Sequence, residues 1–159
     1  MTIITTSVSV DAEFAELLTH AGLIARFAPA DFELESAISA EDPIPSIDTS
    51  GRQGDVSFWT ADKSKYHLSH TTRIPVEGIV LVAGDHDHTL YADGPVTYAP
   101  TKDYAPMRGR LAIGLVHVPA GAQAFVLHAE HGGLALLPGD YAVHRQREYD
   151  EAAIRAVVD

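Results

Sequence analysis

Two short runs concentrate imidazoles: His86-Asp87-His88 and His128-Ala129-Glu130-His131. The chain has nine histidines and no cysteine, so any metal site must be built from nitrogen and oxygen donors. Side chains alternate along a strand, so an H-x-H pair projects both imidazoles to one face. A third imidazole from a neighbouring strand would complete a three-nitrogen site for one divalent transition metal, zinc or iron. His86 and His88 with His128 or His131 are the candidate ligands. Glu130 shares the His128 face, and Asp85 and Asp87 are placed to orient the rings. The same residue types, Gly84-Asp85-His86-Asp87-His88, also compose a polar hairpin turn that holds no ion. Both readings stand. His20 reads as helix surface, and His117 as an outward position on a strand.

The second distinctive run is Arg145-Gln146-Arg147-Glu148-Tyr149. Arginines at i and i+2 of a strand point the same way and can grip a carboxylate or phosphate. Eleven basic residues stand against 22 acidic ones, for a net charge of −11. In such a chain Arg145, Arg147 and Tyr149 read as structural or interface residues, pairing with its own carboxylates or a neighbouring subunit's. The same charge repels phosphate backbones, so no nucleic-acid partner is expected. No residue is nominated as catalytic, because G-x-S-x-G, H-E-x-x-H and a phosphate-binding glycine loop are all missing. No apolar run approaches the roughly 20 residues of a membrane span. Without a basic-then-apolar leader, the expected location is the cytoplasm or a virion.

The elements that must position these residues are mostly strands. Segments 55–59, 78–82, 89–91, 95–98, 111–118, 124–128, 134–137 and 141–145 are short, apolar and β-branched, separated by Gly, Pro and Asp. They predict a mainly β fold, a small sandwich or barrel of about eight strands over 54–159. Pro138-Gly139-Asp140 should turn between two of them, with Tyr141 and Val143 facing the core. Residues 1–53 read as an arm, helix and linker. Thr2 to Val10 suits a strand, Asp11 an N-cap, and Phe14, Leu17, Leu18, Ala21 and Ile24 one face of a helix ending before Pro29. Residues 39–53, with two prolines and no periodicity, predict an extended linker.

Gln53-Gly54-Asp55-Val56, the Gly84 to His88 element, Glu130-His131, and Leu137-Pro138-Gly139-Asp140-Tyr141 through Arg145-Gln146-Arg147-Glu148-Tyr149-Asp150 resemble a family of uncharacterised actinobacterial and actinophage proteins. Those proteins share a Q-G-D-V opening, a G-H-A-H-like centre and a closing R-Q-R-E-Y-D. More loosely, H-x-H followed later by Pro138-Gly139 and His144 is similar to the cupins. From the first resemblance and the β-branched arm, the leading expectation is a non-enzymatic subunit of a homo-oligomer or larger shell, such as a capsid-decorating or virion accessory protein. The alternatives are a cupin-like metal-dependent enzyme or sensor, and an intracellular regulatory binding module.

Overall fold

In a computed structural model, which describes residues 18–66, 68, 70–101, 110–150 and 153–156, the chain forms two facing β-sheets with one helix outside them. The expected strand over 2–10, the cap at Asp11, and Phe14 and Leu17 lie outside the described residues. The first sheet has the order β1 (Ser46–Ile47), β10 (Gly132–Leu136), β9 (Gln123–His128), β6 (His88–Asp93), β5 (Ile79–Val82). The second runs β2 (Ser50–Gln53), β3 (Val56–Thr60), β11 (Gly139–Asp150), β8 (Arg110–Val118), β7 (Thr97–Pro100), β4 (Thr72–Arg73), with β12 (Ala153–Ala156) paired to β11. The mainly β expectation holds, and the architecture is a sandwich. The pairing is antiparallel except between β1 and β10.

Alternation along the strands builds two cores. On β9, Ala124 and Val126 face the second sheet, where they meet Leu90, Leu134, Leu136, Phe58, Val116, Tyr141 and Val143. Phe125 and Leu127 face the other way and pack with Leu23, Ile44, Tyr91 and Ala135. A strand buried on both faces reads as a continuous apolar run, which is why it is recognisable without its partners. Tyr141 and Val143 point to the core as expected. The Tyr141 hydroxyl donates to the Leu137 carbonyl at 2.7 Å and so fastens the Pro138-Gly139 turn, which here carries the chain from one sheet to the other.

The eight expected strands correspond to β3 and β5 through β11. The stretch 39–53 is not a linker. Ile44 is buried in it, β1 pairs in parallel with β10, and β2 pairs with β3. These short pieces are held by backbone bonds rather than by a side-chain pattern, so periodicity does not reveal them.

The helix α1 (His20–Phe27) covers the outer face of the first sheet. It does not run through Leu18. Thr19 is extended, bridges to Pro43, and its hydroxyl accepts from the Gly22 N–H at 3.1 Å, which sets the start at His20. Pro29 follows the end at Ala28, as expected. The fully buried positions are His20 and Leu23, and Ile24 of the expected face packs, partly buried, against the same cluster. His20 is therefore no surface residue. Its Nε2 accepts from the Gly133 N–H at 2.9 Å, so Nδ1 carries the proton and donates to the Asp42 carbonyl at 2.8 Å. Among the described residues no helix is long and apolar enough to cross a membrane.

Candidate metal centre

One end of the first sheet gathers the nominated histidines. β6 and β9 pair Thr89 with Leu127 and Leu90 with Val126, so one step further along His88 and His128 stand opposite each other. Both alternate with core residues, face the second sheet, and are buried at 0% and 1% exposure. Their rings stack with centroids 4.1 Å apart. The turn after β9 brings the His131 ring 4.5 Å from that of His128. His86 meets the His128 ring edge-on at 5.9 Å. The other three nominated imidazoles thus surround His128.

They do not act as the strand pair that H-x-H suggested. β6 begins only at His88, with an irregular register against Val82, and His86 sits in the preceding bend. Period-two alternation does not extend to it. His86 instead reaches Glu35 Oε1 at 3.8 Å and Glu130 Oε1 at 4.0 Å, half exposed.

Gln53, at the end of β2, fixes His88. Its amide nitrogen donates to the Gly132 carbonyl at 2.7 Å and the Val126 carbonyl at 3.0 Å. With both N–H groups used, Oε1 accepts from His88 Nδ1 at 3.0 Å, so the His88 proton sits on Nδ1 and the lone pair on Nε2. Burial, then the charges of His128, His131 and Arg145, push the His88 pKa down to about 3. His128 is also held below its ordinary value, by burial first and then by His131, against the pull of Glu130 and the His86 backbone. Both rings are neutral near pH 7, the form a metal requires. Asp85 and Asp87 do not orient the rings. Asp87 accepts from the Gly84 N–H at 3.3 Å and closes its own bend.

Among the described residues two groups have donor atoms mutually within 4.8 Å: His128, Glu130 and His131, and Glu35, His86 and Glu130. His88 belongs to neither and buttresses the His128 ring. The His128-Ala129-Glu130-His131 segment therefore supplies two imidazoles and a carboxylate from one turn, the composition of open zinc and non-haem iron sites. His128 Nδ1 accepts from the N–H groups of Glu130 and His131 at 3.2 Å each, while its buried Nε2 has no hydrogen-bond partner among the described residues. With Nδ1 accepting, Nε2 carries the proton; ligation through Nε2 would displace that proton and satisfy the atom that has no partner.

The motif residues converge on this end. Gly54 has φ +56°, and a Cβ there would stand 2.5 Å from the His131 ring. Arg52 Nε donates to the Gly54 carbonyl at 2.6 Å, and its guanidinium bonds Gln146 Oε1. The Gln146 N–H donates to the Asp55 carbonyl at 2.8 Å. Arg145 shares the Val143 face of β11, pairs with Val56, and its charge acts on His88. The backbones of Arg147 and Tyr149 pair with Ala156 and Ile154 in β12. Their side chains lie outside the described residues. His144, which the cupin-like spacing would add, alternates with Val143 onto the opposite face. Gln53 and Glu35 were not nominated. Gln53 was visible within Q-G-D-V, whereas Glu35 carries no signal in its neighbourhood.

On the α1 side of the first sheet, a hollow of about 470 Å³ is lined by Asp31, Glu33, Asp85, His86 and Asp87 above Tyr91 and Leu127. Fold and site together define a two-sheet β-sandwich with one end built from histidines and carboxylates. The chain belongs to the family described as a domain of unknown function, DUF8820, whose model matches residues 52–146. The match starts at Arg52 and ends at its hydrogen-bond partner Gln146, and it includes all four histidines but not Glu35. Neither the curated proteins nor the solved structures contain a match.

Proposed function

We propose that this protein is a metal-binding β-sandwich module in which His128, Glu130 and His131 hold a divalent transition ion, zinc or iron. The observation that carries this reading is the convergence of those three donors within 4.8 Å around a buried imidazole with an unsatisfied nitrogen. Three protein ligands leave a position open for water or a further ligand. The carboxylates Asp31, Glu33, Asp85 and Asp87, which line the hollow beside His86, add a negative field that draws cations to this end of the sheet. The test is calorimetric titration of the chelator-treated protein with zinc or iron(II). Tight stoichiometric binding is expected, with the ion held by His128, Glu130 and His131 lost in His131→Ala while the fold stays intact by circular dichroism. A protein that takes up neither ion overturns the reading.

The edge of the first sheet favours a second reading, a subunit of an assembly, in line with the actinophage resemblance. Among the described residues β5 pairs only with β6, and it presents Val80 at 49% exposure beside Val76 at 90%. Such an edge adds a strand from another chain through backbone bonds, here from a second copy. Sedimentation should then report a dimer or larger species that Val80→Lys dissociates. A monomer at all concentrations removes this reading.

A further inference from the structure

We propose, resting on the metal-binding reading above, that the centre is dinuclear, with Glu130 bridging one ion held by His128 and His131 and a second held by His86 and Glu35. Glu130 is the one residue common to both donor groups. Its Oε1 lies 4.0 Å from His86 Nε2, which in turn lies 3.8 Å from Glu35 Oε1. Its carboxylate has a second oxygen for the first ion. Carboxylate-bridged ions stand about 3.5–4 Å apart, a span that one carboxylate covers.

A single ion shared by all five residues does not fit. Donors on one ion lie about 2.0–2.2 Å from it, so any two of them are within about 4.4 Å of each other. Among the described residues no group of three within 4.8 Å joins His86 to His128 or His131. The perpendicular approach of the His86 ring to His128 places its Nε2 with the two glutamates instead. Two dications 4 Å apart repel, and the surroundings answer that charge. Asp31, Glu33, Asp85 and Asp87 line the hollow into which His86 projects. The second ion depends on Glu35, outside residues 52–146, so this nuclearity is a property of this chain rather than of the matched family region.

The experiment is zinc stoichiometry on the full chain by calorimetry and elemental analysis, with manganese(II) electron paramagnetic resonance as a second readout. Wild type should bind two equivalents. Glu35→Gln and His86→Ala, at half-exposed positions, should each keep one, and His131→Ala should keep one. Glu130→Gln should weaken both sites by at least about tenfold. Two manganese ions should give an exchange-coupled spectrum. One equivalent in wild type that is unaffected by His86→Ala and Glu35→Gln overturns the second site while leaving the mononuclear reading intact. Two equivalents with uncoupled spectra overturn the bridge. No metal uptake at all overturns both.

Discussion

Gln53 and His88 lie 35 residues apart in different sheets and meet through a single bond of 3.0 Å, Oε1 to Nδ1. The amide that makes this bond also ties the carbonyls of Val126 and Gly132. One buried side chain thereby sets the tautomer of His88 and joins the two layers at the candidate site.

Replacing Gln53 by Leu leaves a buried imidazole N–H without its partner and removes one bond from each of two carbonyls that lie in the strand ladder. An orphaned buried group costs about 1–3 kcal/mol, so a loss of that order is expected in urea denaturation. A variant as stable as wild type would show that the bond network contributes nothing.

The depressed pKa of His88 makes stability depend on acid. Above the unfolded value near 6.5, the ring is neutral in both states and contributes no slope. Between 6.5 and about 3 the unfolded chain takes up a proton that the folded chain refuses. Stability therefore falls as pH falls through that window, by up to about 1.4 kcal/mol per pH unit for this group. His128, shifted the same way, adds to the slope. Denaturation midpoints of the chelator-treated protein at pH 7.5, 6 and 5 check this; a flat or rising series contradicts it.

Gly54→Ala and Gly121→Ala form a matched pair. Both glycines have positive φ, +56° and +79°, so either alanine meets backbone strain of about 1–2 kcal/mol. At Gly121 a new Cβ finds nothing within 4 Å, whereas at Gly54 it stands 2.5 Å from the His131 ring. The Gly54 variant should lose more stability and also bind zinc more weakly. Equal effects at the two positions would mean that His131 is free to step aside.

His20→Ala should separate the helix from the chemistry. The change orphans the Gly133 N–H, removes the side-chain bond to an Asp42 carbonyl that still accepts from the residue 20 backbone N–H, and opens space beside Leu23, for an expected loss of about 1–3 kcal/mol. Zinc stoichiometry should not change, because His20 belongs to neither donor group. Thermal melts and calorimetry on one preparation test both halves of this expectation.

The β half of the fold was legible because its strands carry their own signal. Runs such as Ala124-Phe125-Val126-Leu127 are apolar on both faces, and Gly or Pro ends them. β1 and β2 were not legible, because Ser46-Ile47 and Ser50-Gly51-Arg52-Gln53 owe their pairing to partners far along the chain. The histidines could be nominated as a group from residue type, but their grouping could not. His86 and His88 are separated by the start of a strand, which spacing does not reveal. Glu35 reaches His86 across 51 residues of sequence, and no local pattern marks it. His20 was misread because the helix face was judged from apolar spacing, and a buried imidazole with both nitrogens bonded behaves as a core residue.

The position of β11 has a consequence for the order of synthesis. It is the last long strand among the described residues, yet it lies inside the second sheet, between β3 and β8. A nascent chain that has emerged as far as residue 138 holds β3 and β8 with nothing between them. Neither strand has another partner that links them across the gap. Tyr141 and Val143, which seal the core, are also absent until then. The sandwich therefore closes only after its own late strand leaves the ribosome, and shorter prefixes expose two unpaired strand edges to other chains.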